Sequence, residues 1–264
     1  MASIVLNRPE AINSLNTPMI EEIQRFMREA EKNDNCKFLL FYGRGEKGFC
    51  AGGDVKALAQ MAADKRFGEI EMFYEKEYAM DLDVHRFSKA VVVLAHGVTM
   101  GGGLGIAAGA DIVLTTSTTR MAMPEARIGF FPDVGATGWL FARCPPGYPE
   151  FLALTGYEMN GKESLRLGLA THYAATDDCS LIVSLLENYA PKNPGSDKKS
   201  IVSDISAMLS PHVTSDVFPN QEMDEWIKTY FAGRETVEDI TASLGRCHEQ
   251  EKLCGDVFDA LAQR

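Results

Sequence analysis

The chain has 264 residues, 45% hydrophobic and 24% charged, a balance that fits one large globular domain or two small ones. Its net charge of -11 at pH 7 disfavours nucleic acid and acidic membranes, which bind through dense phosphate charge. A phosphate-bearing ligand must therefore be held by local N–H groups and a few cations such as Arg8, Lys47 and Lys56.

Six scattered cysteines (Cys36, Cys50, Cys144, Cys179, Cys247, Cys254) lack pairing or metal-ligand spacing, and no signal peptide precedes them. A reducing, cytoplasm-like compartment is expected, or the mitochondrial matrix if a transit peptide has been removed. The longest apolar run, Ala90 to Ala95, falls well short of the roughly 18 residues of a membrane span.

In chain order, Ser3 to Leu6 reads as a short strand, and Thr17-Pro18 opens a helix to about Lys32 with Ile20, Ile23, Met27 and Ala30 on its apolar face. Lys37 to Tyr42 is a buried strand running into a glycine-rich turn, Gly43 to Asp54, and Val55 to Met61 is helical. A longer helix covers Glu69 to Phe87. The strand Ala90 to Ala95, the loop His96 to Gly103, a short helix to about Ala110 and the strand Asp111 to Thr115 repeat the same order. From Gly135 the pattern turns mainly helical, broken at Pro145-Pro146-Gly147 and over Pro191 to Lys199. The reading is an α/β core followed by a helical segment.

Two loops, Ala51-Gly-Gly-Asp54 and Met100-Gly-Gly-Gly-Leu104, each follow an apolar strand and each open a helix. Such loops expose unpaired N–H groups and let a ligand carbonyl approach without a side-chain clash, so together they could form an oxyanion hole. Singly, each is explained as a tight turn. In Met123 to Gly135, Glu125 and Asp133 stand in an apolar, proline-bounded stretch, where carboxylates acquire the shifted protonation that acid/base or nucleophilic work needs. Spacing alone leaves a blander reading equally open: Asp133 as an N-cap, and Glu125 in a salt bridge with Arg127 or a distant cation.

The segments Asn7-Arg-Pro-Glu-Ala-Ile-Asn13, Phe49-Cys-Ala-Gly-Gly-Asp54, His96-Gly-Val-Thr-Met-Gly-Gly-Gly103 and Met123-Pro-Glu to Phe131-Pro-Asp-Val-Gly135 occur in the order seen in crotonases, and the chain resembles that superfamily from residue 3 to about residue 172. Phe151 to Gly156 and Gly168 to His172 look like its 3-hydroxyisobutyryl-CoA hydrolase branch.

The resemblance implies a crotonase-like spiral of ββα turns. Residues 1–175 would be an acyl-CoA-binding core and 176–264 a helical C-terminal segment, shortened relative to the family. It further implies an acyl-CoA substrate, an oxyanion hole from Gly53 and Gly102, and contacts from Gly52, Asp54 and Gly101. Coenzyme A would enter only as part of the substrate, with no permanently bound cofactor and no metal, and the family habit is a homo-oligomer built on trimers.

Hydratases of the superfamily usually carry a second acid at the position of Gly105 and glycine at that of Asp133; the hydrolases match Glu125 and Asp133 together. Glu77 also matches a substrate-contacting acid of those hydrolases, although Glu-Lys-Glu reads by default as a solvated helix face. Four other readings remain. One is enoyl-CoA hydration or isomerisation through Glu125, and another is acyl-CoA binding without turnover in a shortened chain. The third is a weak dinucleotide pattern, Gly103-x-Gly105-x-x-Ala108, on too short a helix. A Cys50–His96 nucleophile pair is conceivable, but a cysteine beside a glycine turn is usually apolar filler.

Overall fold

The apolar runs become the centre of a parallel sheet in the computed structural model, which describes residues 1–176, 179–191, 195–246 and 257. The strands are β1 (Ala2–Leu6), β2 (Phe38–Gly43), β3 (Gly48–Cys50), β4 (Ala90–Ala95), β5 (Val98–Met100), β6 (Ile112–Thr116), β7 (Arg120–Ala122), β8 (Met159–Asn160) and β9 (His172–Ala174). They form a five-stranded parallel sheet, β1-β2-β4-β6-β9, and a smaller one, β3-β5-β7-β8, whose last strand is antiparallel.

Three times in succession the chain lays a long strand in the first sheet, then a three-residue strand in the second, then turns into helix. This is the α/β spiral of ββα turns that the sequence implied. In register, Phe38 faces Ala90 and Val92 faces Ile112. Period-2 alternation sends Leu39, Phe41, Val91 and Val93 to the main core, and Phe38, Leu40, Val92 and Leu94 to the opposite face. A strand buried on both faces must be apolar throughout, which is why these runs do not alternate with polar residues.

The first helices are α1 (Thr17–Lys32), α2 (Val55–Ala63), α3 (Phe67–Arg86) and α4 (Gly102–Gly109). After them come α5 (Ala136–Arg143), α6 (Tyr148–Thr155), α7 (Gly161–Arg166), α8 (Cys179–Glu187), α9 (Lys198–Leu209), α10 (Gln221–Tyr230) and α11 (Val237–Gly245). α1 begins one residue earlier in its capping than Thr17-Pro18 suggested: Asn16 is the cap, its Oδ1 accepting from Met19 N at 3.0 Å, while Thr17 and Pro18 are already helical. α8 and α9 cover the far face of the main sheet through Ile182, Leu186, Ile201, Ile205 and Leu209.

α4 is the buried pivot of the fold. Its first seven residues are all inaccessible, and its glycines let α3 pack closely across it. No helix among the described residues is long and apolar enough to cross a membrane. Cys36, Cys50 and Cys144 are buried thiols, while Cys247 and Cys254 lie outside the described residues.

Candidate active site

Both glycine loops are fixed by backbone geometry that few other residues adopt. Gly52 (φ 90) and Gly101 (φ 51) lie in the left-handed half of conformational space. They also touch: a Cβ on Gly52 would stand 3.2 Å from Gly102 N and 3.4 Å from Gly101 Cα. The first loop is held from outside by the segment between β1 and α1. Leu15 N donates to Gly52 O (2.7 Å) and Asp54 N to Leu15 O (2.8 Å), a short parallel bridge that leaves the Gly53 N–H unused.

Behind this bridge Asn13 (φ 54) is fully buried, and its Nδ2 donates to Arg44 O and Gly48 O, each at 3.0 Å. The Gly102 N–H heads α4, where an N–H has no acceptor within the helix. Gly53 and Gly102, from adjoining loops, thus line one cavity of about 460 Å³.

Seven of the eight site residues expected from the sequence line that cavity: Gly52, Gly53, Glu77, Gly101, Gly102, Glu125 and Asp133. Asp54 does not. Its carboxylate caps α2, accepting from Ala57 N at 3.2 Å, and pairs with Arg8 at 2.9 Å, so the Arg8 cation is engaged there. Lys47 and Lys56 remain exposed.

Glu77 corrects the solvated-face reading. It lies on the buried stripe Phe73, Glu77, Met80, Val84 of α3, is 2% exposed, and points Oε1, with no hydrogen-bond partner, at Gly102. The α4 glycine is required there, because a Cβ at 102 would collide with that oxygen. Burial, and then the charges of Asp133 and Glu125, push the Glu77 carboxyl up to about 8.

Glu125 sits in the 3-10 turn Glu125–Ile128, its Oε1 2.9 Å from where a Cβ on Gly101 would be and its Oε2 buried without a partner. Burial raises its carboxyl to about 7, with Asp133 adding to the shift. The anticipated salt bridge is not formed, since Arg127 Nε instead donates to Thr155 O at 2.9 Å.

Nor is Asp133 a helix cap. α5 starts at Ala136 with Gly135 as its cap, and the Asp133 carboxylate turns away to accept from Tyr78 Oη at 2.7 Å. Burial raises the Asp133 pKa, and the Tyr78 hydrogen bond opposes that rise.

Sequence reasoning missed a fourth acid. Asp81, one turn after Glu77 on the same face of α3, is half-buried as a residue, yet both its oxygens are hidden from solvent and unpartnered. Its Oδ2 lies 3.0 Å from where a Cβ on Gly105 would stand, so Glu77 opposes Gly102 and Asp81 opposes Gly105. Burial, then Glu77 and Asp133, hold the Asp81 carboxyl well above the ordinary carboxylate range. The signal was present in its four-residue spacing from Glu77.

The Cys50–His96 pair is overturned. The Cys50 thiol donates to Asn13 O at 3.3 Å and is pushed up to about 12 by burial, while His96 Nε2 bonds Gly45 O at 2.9 Å. The dinucleotide reading finds only an eight-residue α4 after the glycines. Among the described residues no group of three or more His, Cys, Asp or Glu side chains is placed to hold a metal ion.

Backbone N–H groups of glycine loops beside buried, protonatable carboxylates are a combination that can polarise a carbonyl and move a proton. A model described as enoyl-CoA hydratase/isomerase matches residues 1–264. The mitochondrial 3-hydroxyisobutyryl-CoA hydrolase of Danio rerio is 33% identical over 250 residues, covering 91% of this chain and 62% of that protein. The small ribosomal subunit protein mS47 of Neurospora crassa is 36% identical over 195 residues, 73% of this chain and 38% of that one. The chain therefore spans 62% or less of the length of these two relatives. A carnitinyl-CoA dehydratase structure from Mycobacterium thermoresistibile superposes with a TM-score of 0.84 at 32% identity, over 99% of this chain and 72% of the other.

Proposed function

We propose that this chain, which belongs to the enoyl-CoA hydratase/isomerase family, hydrolyses the CoA thioester of a short, branched β-hydroxyacyl group such as 3-hydroxyisobutyryl-CoA. The observation that carries this reading is the convergence of Glu125, Asp133 and Glu77 on the cavity lined by Gly53 and Gly102, with no acid at position 105 and Asp81, the acid beside it, outside the lining of that cavity.

The thioester carbonyl oxygen accepts from the Gly53 and Gly102 N–H groups, which are aimed in advance at the charge it gains. Glu125, once ionised, attacks the carbonyl carbon or takes a proton from the water that does; on either route water is consumed, and the acid and the CoA thiol leave. Asp133, held by Tyr78, orients the attacking group, and Glu77, protonated near neutral pH, bonds the substrate's β-hydroxyl. Relatives that carry the name of a ribosomal protein mean that family membership alone does not imply turnover; support for turnover comes from the unpaired acids.

Free CoA release from 3-hydroxyisobutyryl-CoA, measured beside hydration of crotonyl-CoA, tests the proposal. Release without hydration is expected. Rapid hydration without release would reassign the chain as a hydratase or isomerase working through Glu125, and ligand binding with neither would make it an acyl-CoA-binding protein.

A further inference from the structure

A second cavity, about 650 Å³, is lined in part by residues next in sequence to those of the first. The wall between them is read from neighbouring residues that face opposite ways. Glu77 and Asp133 line the first cavity, whereas Tyr78 and Val134, next to them in sequence, line the second. The Tyr78–Asp133 hydrogen bond at 2.7 Å ties the two halves of this wall together.

Val134 is the strained part of it. At φ 45 it holds a β-branched residue in a region such side chains avoid, although glycine would sit there freely, as Gly135 does next to it at φ 75. The conformation is pinned from both sides: Trp139 Nε1 donates to Val134 O at 3.0 Å, and Ala136 N donates to Asp133 O at 2.7 Å.

The strain seats the valine in the notch left by Gly105. Its Cβ and Cγ2 lie 2.8 and 3.0 Å from where a Cβ at 105 would be. Strained residues persist where the surroundings enforce them, and they mark positions with a task.

The spacing along α4 supplies that task. Gly102, whose N–H would hold the carbonyl, and Gly105 stand one turn apart on α4, about 4.5 Å along its axis. Glu77 and Asp81 stand opposite them on α3. An acyl chain that leaves a carbonyl held at Gly102 in the direction of Gly105 would reach the Val134 side chain within a few carbons.

We propose that Val134 is the specificity-determining residue that limits the site to short acyl groups, and that the cavity behind it is the space a longer chain would otherwise occupy. The inference rests on the preceding reading only in taking the carbonyl to sit at Gly53 and Gly102. It does not need turnover.

The test uses unreactive S-alkyl-CoA thioethers from butyl to decyl, with affinities measured by titration calorimetry for wild type, V134G, V134A and V134G/G138L. Wild-type affinity should stop rising near butyl. In V134G it should go on rising by about fourfold for each methylene that reaches the second cavity, and V134A should show part of that gain. Gly138 lines the same cavity and faces open space, so adding G138L should fill the volume and abolish the gain.

Wild-type affinity climbing steadily to decyl would overturn the proposal. So would a folded V134G or V134A with the wild-type profile, a gain that survives G138L, or failure of every thioether to bind. Failure of CoA release in the separate turnover assay, with this profile intact, would instead remove the hydrolase reading alone.

Discussion

Glu77→Gln preserves the shape of a side chain that is 2% exposed while replacing its titratable carboxyl with a neutral amide. In the fold that carboxyl titrates near 8, against an ordinary 4.5, because burial and then the neighbouring Asp133 and Glu125 disfavour its charge. Between those values the folded chain keeps a proton that the unfolded chain has released. The stability this proton supports is therefore complete below about 4.5 and is lost as pH rises through about 8. The limiting slope is about 1.4 kcal/mol per pH unit. Between pH 5 and pH 8, wild type should lose roughly 3.5 kcal/mol that the glutamine variant keeps. Urea unfolding of both proteins at each pH measures this, with the difference between them as the readout. Titrations independent of Glu77 cancel, Asp81, which Glu77 helps to raise, adds a smaller difference of its own, and any fixed cost of burying the amide shifts the whole curve without changing its slope. Parallel curves for the two proteins, or a wild-type excess that grows with pH, would refute the reasoning that the fold holds Glu77 protonated.

Glu125→Gln should keep acyl-CoA binding and lose nearly all CoA release, and wild-type kcat/KM should rise with pH through about 7 as Glu125 ionises; near-normal release or a flat profile would displace Glu125 from the reacting role. Asp133→Asn should lose less rate than Glu125→Gln, and since Asp133 caps nothing, Asp133→Ala should leave the melting midpoint nearly unchanged. If Asp133→Asn instead abolishes release while Glu125→Gln keeps it, the two roles are reversed. Gly102→Ala, with Gly102→Val as the bulkier case, drives a methyl against Glu77 Oε1 and obstructs the carbonyl seat, costing on the order of a hundredfold or more in rate; a folded variant with normal turnover would reduce that loop to a turn.

The fold was legible where local pattern and burial coincide. The runs Phe38–Gly43 and Ala90–Ala95 are apolar because both sheet faces are covered, and the two glycine loops follow such strands. Local pattern misled where composition and period disagree. Glu-Lys-Glu looks solvated as a tripeptide, yet Glu77 falls in step with Phe73, Met80 and Val84. Asp133 precedes a helix and resembles a cap, but the left-handed Val134 and Gly135 displace the helix start and turn the carboxylate toward Tyr78. The second cavity depends on where α3 crosses α4, a property of packing that residue spacing along one helix does not encode.

The bridge from Leu15 to Gly53 and the Asn13 side chain behind it divide the labour of the site between two regions of chain. The segment between β1 and α1, the loop after β3 and the start of α4 shape the proposed carbonyl seat by backbone bonds, whereas the acids of the cavity come from α3 or from 123–135. Heredity can thus edit the acids one side chain at a time while the seat is passed on unchanged. On the proposed function, a protein built this way can exchange one reaction for another on the same thioester, or give up catalysis and keep the ligand, without redesigning its backbone.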